Sequence, residues 1–316
     1  MCLVLRALLV VCAIKFGLSI DLPCEFDYDS QSGYYCKVVN FTNDNQGAHV
    51  DHIIGDHIRE RSTLSVIRVI MFDLTISYLP GNLTERFPHL KNLQVKKCGM
   101  KNLTRRHELH GLRRIYFGFN EIDHIPVNYF WHFCKLEILS LHGNRISSIP
   151  KKAFRDLQSL QRLSLNGNLL KEIHPNLFDN CKNLEFIDLD NNFLKIIDGS
   201  LFTNLTMLTN VYLQNNNIIF IGNDFLSTLP RLKVALFQGN KCINESLPKI
   251  SIGSDRSPLE YIQSIFQEDC SPNLPTTTTT PRPTTTPPRK KPKHEAQKIY
   301  YFDNCEWQAP KGSRYF

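Results

Sequence analysis

Apolar residues recur along the chain in one frame, L-x-x-L-x-L-x-x-N-x-L, and the frame itself recurs at a nearly fixed interval. It reads Leu136, Leu139, Leu141, Asn144, Ile146 and then Leu160, Leu163, Leu165, Asn168, Leu170. It continues as Leu184, Ile187, Leu189, Asn192, Leu194 and as Leu208, Val211, Leu213, Asn216, Ile218. One step earlier it reads Leu112, Ile115, Phe117, Asn120, Ile122. A weaker copy follows at Leu232, Ala235, Phe237, Asn240, Cys242. Two degenerate copies precede, at Leu90, Leu93, Val95, Cys98, Met100 and at Leu64, Ile67, Val69, Phe72, Leu74. The ninth positions are separated by 26, 22, 24, 24, 24, 24 and 24 residues. A single match would mean little, but eight at one period identify a repeat architecture.

Within the L-x-L core of each copy, successive side chains point to opposite faces, so the leucines face inward and their neighbours outward. One repeat cannot bury its leucines alone; stacked repeats share a continuous core. The pattern is that of leucine-rich repeats. It predicts an α/β solenoid, or horseshoe, with a parallel sheet on the concave face. The asparagine faces the sharp turn after each strand, where its amide can satisfy backbone groups that would otherwise be buried unpaired. Cys98 takes that place in one copy and reads as a small buried hydrophobe. Ile125, Ile149, Ile173, Ile197 and Ile221 each follow the ninth position by five residues. Phe130, Phe154, Phe178, Phe202 and Phe225 come four or five residues later and predict a phenylalanine spine in the core.

Residues 1–19, MCLVLRALLVVCAIKFGLS, read as a secretory signal peptide, with Arg6 and Lys15 interrupting what would otherwise resemble a membrane span. Export favours disulfides, and eight of the ten cysteines lie beyond the signal. Cys24 and Cys36 enclose a predicted hairpin that turns at Ser-Gln-Ser-Gly. Residues 20–61 are therefore assigned as an N-terminal cap, followed by the repeat array over 62–241. Cys242 and Cys270 bracket a C-terminal cap, 242–270, in which Ser257-Pro258 opens a short amphipathic helix. Cys134 and Cys181 lie two repeats apart, roughly 10 Å along the solenoid, too far for a mutual bridge. Both are read as free and buried. Cys305 is left over and is a candidate for an intermolecular disulfide.

Sequons place candidate N-glycans on Asn40, Asn82, Asn102, Asn204 and Asn244, with Asn204 on the return leg. From residue 271 to 316 the chain turns into a Thr/Pro-rich linker followed by a basic, aromatic tail containing Arg289-Lys290-Lys291-Pro292-Lys293. The formal charge is +7. The signal contributes +2 and the tail +5, which leaves residues 20–270 neutral. A nucleic-acid-binding body is not expected on that balance.

No catalytic motif is present: G-x-S-x-G, H-E-x-x-H, a P-loop and paired C-x-x-C are all missing. Neither enzyme activity nor a cofactor or metal is expected. His49, His52 and His57, with Asp51 and Asp56 among them, read as a polar loop. The outward positions of the strands are the candidate binding surface. The frame places Arg68, Gln94, Tyr116, Ser140, Ser164, Asp188, Tyr212 and Leu236 in one column, and Ile70, Lys96, Gly118, His142, Asn166, Asp190, Gln214 and Gln238 in the next. Arg68, Lys96, Arg114, Tyr116, Phe119 and His142 make the first half basic and aromatic. Phe186, Asp188, Asp190 and Tyr212 make the later half acidic and aromatic. Aromatic and arginine side chains are the usual anchors of interfaces.

With the cysteine pairs Cys24…Cys36 and Cys242…Cys270 flanking the array, the chain resembles the secreted leucine-rich repeat proteins of insects. It is similar to short leucine-rich immune proteins and to Toll- or chaoptin-like ectodomains. The resemblance covers residues 24–270. It implies recognition of an extracellular protein, glycan or microbial surface, innate immunity among the settings, and no catalysis. A matrix or adhesion component tethered by the basic tail or by Cys305 is the alternative expectation.

Overall fold

A computed structural model of the chain describes residues 18–242 and 270, apart from 32, 105, 106, 223, 224 and 226–228. Residues 1–17 of the expected signal peptide, the helix after Ser257, Asn244 and the tail with residues 289–293 and Cys305 lie outside the described residues, whereas Ser19, the last residue of that expected segment, is part of the first strand. In chain order the strands are β1 (Ser19–Asp29), β2 (Gly33–Val38), β3 (Thr42–Asn43), β4 (His49–Ile54), β5 (Arg68–Phe72), β6 (Thr75–Ile76), β7 (Asn92–Lys96) and β8 (Arg114–Tyr116). They continue as β9 (Ile138–Ser140), β10 (Arg162–Ser164), β11 (Phe186–Asp188), β12 (Ile196–Ile197), β13 (Asn210–Tyr212), β14 (Phe220–Ile221) and β15 (Val234–Leu236). Eleven of them form one sheet in the order β15-β13-β11-β10-β9-β8-β7-β5-β2-β1-β4. From β2 to β15 every neighbouring pair is parallel. The fold is the leucine-rich repeat solenoid that the periodicity predicts.

From β5 onward the strands of the large sheet are only three to five residues long. The inward positions are fully buried, for example Leu139, Leu163, Ile187 and Val211. On the far side the phenylalanines stack as expected. Ring centroids are 5.9 Å apart for Phe130–Phe154, 6.3 Å for Phe154–Phe178, 6.1 Å for Phe178–Phe202 and 4.9 Å for Phe202–Phe225.

The asparagine ladder closes the turns. Asn144 Nδ2 donates to its own Leu141 carbonyl and to the Phe117 carbonyl of the preceding repeat, each at 2.9 Å. Its Oδ1 accepts the Ile122 N–H at 3.1 Å. Asn168, Asn192, Asn216 and Asn240 repeat this arrangement down the solenoid. The residue just before each rung has a positive φ: Lys97, Phe119, Gly143, Gly167, Asn191, Asn215 and Gly239. This left-handed residue turns the chain so that the next side chain points back under the strand.

The N-terminal region departs from the predicted register. Val69 pairs with Leu93 and Met71 with Val95. The first copy is therefore Val66, Val69, Met71, Leu74 and Ile76, two residues later than the frame Leu64, Ile67, Val69, Phe72, Leu74. Leu64 and Phe72 are exposed while Val66, Met71 and Ile76 are buried. Asp73, with φ 57°, takes the left-handed place ahead of Leu74. The spacing from Leu74 to Cys98 is then 24 residues, as in the later copies. The expected cap also contributes to the array. Strands β1 and β2 form the antiparallel hairpin, stapled by Cys24–Cys36 at a Cα separation of 5.3 Å. Strand β2 then pairs in parallel with β5, placing Cys36 beside Val69. His49 and His52 lie in strand β4, not in a loop. His57 shares a 2.8 Å hydrogen bond with the Tyr34 hydroxyl, and its ring lies 3.9 Å from that of Phe26.

Cysteines largely follow the sequence reading. Cys242 and Cys270 are bridged, with Cα atoms 5.0 Å apart. Cys98 and Cys181 are free and buried, and burial pushes the Cys181 thiol up to about 12. Cys134 is a correction: it is disulfide-bonded. The two-repeat spacing excludes Cys181 as its partner but does not require a free thiol.

Replacing Asn192 by Ala leaves the buried Leu170 N–H without its partner, while the Leu165 and Leu189 carbonyls each lose one of two bonds and keep those from Asn168 and Asn216. An unpaired buried group costs about 1–3 kcal/mol and each lost hydrogen bond about 1 kcal/mol, so a loss of about 3 kcal/mol is expected in denaturant unfolding. The exposed Gln161→Ala change should stay within about 0.5 kcal/mol.

Candidate functional site

The outward face of the sheet carries the candidate residues in rows set by strand pairing. Arg114 lies beside Ile138, and Tyr116 beside both Gln94 and Ser140. The corrected register moves Arg68: it pairs with Asn92, so Ile70, not Arg68, shares the column of Gln94 and Tyr116. Arg68 is also engaged. Its guanidinium lies 3.5 Å from Asp29 and 4.6 Å from the centroid of the Tyr35 ring. It braces the N-terminal hairpin against the array and offers little to a ligand.

The other residues fall into two clusters. The first spans β7 to β9. The Lys96 ammonium lies 5.6 Å from the centroid of the Tyr116 ring. Ser140 Oγ and His142 Nδ1 share a 2.6 Å hydrogen bond. The Phe119 and His142 rings meet edge to face at 4.6 Å. Two glycines make this interleaving possible. A β-carbon at Gly118 would stand 2.1 Å from His142 Cε1, and one at Gly143 would stand 2.7 Å from Phe119 Cδ1. Burial, and then the charge of Lys96, hold the His142 imidazole below its ordinary pKa, so it is neutral at pH 7. Arg114 is exposed on the same strand as Tyr116.

The second cluster spans β10 to β13; its centre, Asp188, lies three strands from Tyr116, about 15 Å at the usual strand spacing. Phe186 and Tyr212 meet edge to face at 5.1 Å, and the Arg162 guanidinium lies 5.1 Å from the Phe186 centroid. Arg162 is not among the residues singled out from the sequence; only its place beside the L-x-L core marks it. Asp188 Oδ1 accepts the Asp190 N–H at 3.1 Å, and Asp190 Oδ1 accepts the Gln214 N–H at 2.6 Å. Burial, then the negative charge of Asp188, raise the Asp190 carboxyl to about 7, against the opposing pull of the Gln214 N–H. Asp188 is raised too, by burial. No cation offsets either carboxylate among the described residues. Ser164 and Asn166 occupy the stretch between the two centres, the Ser164 hydroxyl donating to Asn166 Oδ1 at 2.8 Å.

Phe119 stands apart in its backbone. With φ 54° it is a bulky aromatic residue in a conformation that the equivalent positions give to Lys97, Gly143, Gly167, Asn191, Asn215 and Gly239. It is also 54% exposed. A strained, exposed aromatic marks a functional position more often than a structural one. No group of three or more metal-ligating side chains occurs among the described residues.

Two substitutions test this geometry. Phe119→Asn should stabilise the fold by about 1 kcal/mol in denaturant unfolding, because Asn tolerates the left-handed region. Asp190 holds its proton more tightly when folded than when unfolded, so its ionisation opposes folding. That cost is absent below about pH 4 and complete above about pH 7. Asp190→Asn should therefore raise the thermal midpoint at pH 8 and leave it nearly unchanged at pH 4.

A family model described as "Leucine rich repeat" matches residues 134–194. No protein of curated function matches the chain by sequence. Among solved structures, the fold is similar to that of TLR13 in its complex with ssRNA13, with 21% identity and a TM-score of 0.53. That similarity covers 60% of this chain and 28% of the other. It is also similar to Drosophila Toll in the glycosylated Toll–Spatzle complex, with 20% identity and a TM-score of 0.50 over 55% of this chain and 24% of that one. The chain thus spans about a quarter of the length of either. At these identities the likeness carries the fold alone: the described chain is a leucine-rich repeat solenoid.

Proposed function

We propose that this is an exported, glycosylated leucine-rich repeat protein that recognises another macromolecule through the concave face of its sheet, without catalysis, in a setting such as innate immunity. The observation that carries the reading is the second cluster. Two half-buried carboxylates sit beside an edge-to-face aromatic pair with no internal cation to balance them. Leaving charge partly desolvated and unpaired weakens the fold, and a docked partner of opposite charge would repay that cost. The structural neighbours were solved with a single-stranded RNA and with the protein Spatzle. For this chain a protein ligand suits the acidic cluster better than a polyanion.

Glycans fit the same orientation. Asn204, on the return leg, and Asn40 are exposed, whereas Asn82 and Asn102 are half-buried. The Asn82 amide already donates to the Val50 carbonyl at 2.8 Å. Occupancy at Asn40 and Asn204 would leave the centre of the concave face bare. Among the described residues no helix is long and apolar enough to cross a membrane.

The reading is tested by capturing extracellular proteins on the immobilised chain and measuring the affinity of the tightest binder. The double variant Tyr116→Ala/Tyr212→Ala should weaken it by about tenfold or more, as loss of an interface anchor does. Unchanged affinity would remove the concave face from the account.

A further inference from the structure

The flank of the solenoid just past the asparagine ladder carries a second surface, separate from the concave face. Leu169 and Phe193 hold the same place in adjacent repeats, one residue after Asn168 and Asn192. Ile196 follows Phe193 by three residues and Ile219 follows Asn216 by three in the next repeat, and all four are between 42% and 50% exposed. Their backbone is held firmly. Leu169 N–H donates to the Ile146 carbonyl, Phe193 N–H to Leu170 and Ile219 N–H to Lys195, at 2.8–2.9 Å. Ile196 also pairs with Phe220 in the ladder of β12 and β14. These inter-repeat bonds use the backbone N–H groups of Leu169, Phe193 and Ile219 internally. Apolar side chains grouped on an exposed face and rimmed by polar residues mark interaction sites in a way that single scattered ones do not.

The charges around the patch identify its occupant. Exposed Lys171 and Lys195 sit at equivalent places in adjacent repeats, and Lys241 is exposed at the far end. Lys171 and Lys195 make no ion pair among the described residues. Of the two nearby carboxylates, Glu172 is exposed, while Asp198 accepts the Ser200 N–H at 2.8 Å and its hydroxyl at 2.6 Å. Long lysines bordering an apolar strip suit a surface that offers anionic groups above hydrocarbon, into which the tips insert while the ammonium groups stay at the boundary. A second copy of the chain would bring cationic borders of like sign together. We propose that the flank formed by Leu169, Phe193, Ile196 and Ile219, with Lys171 and Lys195, docks on an anionic phospholipid surface.

The full chain is floated with phosphatidylserine-rich vesicles and with pure phosphatidylcholine vesicles. Binding to the anionic vesicles alone is expected, reduced by salt and lowered about tenfold or more in Phe193→Ser/Ile196→Ser and in Lys171→Glu/Lys195→Glu. These positions are exposed, and an unchanged thermal midpoint would show that the variants fold. Phe193→Trp should show a fluorescence blue shift on anionic vesicles only. A control with Arg289, Lys290, Lys291 and Lys293 changed to Gln should still float. The proposal is overturned by no flotation, by flotation that the flank variants leave intact, or by flotation lost in the tail control alone. A solution dimer that the same flank variants dissolve would overturn it in favour of a second copy.

Discussion

Everything in this solenoid depends on closing a tight turn under a buried strand without leaving backbone groups unpaired. One asparagine per repeat does this, because its amide has both donor and acceptor capacity and reaches two repeats at once. Asn144 binds the carbonyl of Phe117 in one repeat and of Leu141 in its own, while accepting the N–H of Ile122. Rungs of this kind couple nearest neighbours directly. Stability in such an array is a sum over repeats and their interfaces, and each rung contributes to both. At Cys98, where the rung is missing, the next asparagine spans the gap: Asn120 Oδ1 accepts the N–H groups of both Cys98 and Met100.

That constraint acts on the inward side and on the turns, and it leaves the outward strand positions unconstrained by packing. Variation is concentrated there: lysine and tyrosine in one region, serines in the middle, aspartates and aromatics further on. The cost of that freedom appears locally. Phe119 keeps a strained backbone, and Asp190 keeps a carboxyl that the surroundings would rather protonate. Both lie on the face that has no internal need for them, which is why a recognition role accounts for them better than a structural one.

The repeats, the phenylalanine spine and the hairpin staple were legible because each rests on periodicity or on close cysteines. The first repeat was misread for a physical reason. Leu64, Val69 and Leu74 satisfy the spacing, but no asparagine marks the ninth position, so two registers compete. Pairing with β7 decides between them, together with the left-handed Asp73. Arg68 moved with that register and turned out to be tied to Asp29 and Tyr35, a contact between segments that no frame reveals. Arg162 and the interleaving of Phe119 and His142 with Gly143 and Gly118 were invisible for a similar reason: they depend on which side chain leans across to the next repeat. Cys134 shows that ruling out one partner by distance does not establish a free thiol.

The two free thiols among the described residues sit in different parts of the array. Cys98 is packed at a rung near the N-terminal end and Cys181 in the return leg further along, both shielded from solvent. A chain built from stacked units opens by fraying from its ends, and it does so unit by unit. Neither sulfur can meet an alkylating reagent until its own unit has opened. The chain thus carries two internal clocks, whose relative ticking would tell from which end the stack comes apart.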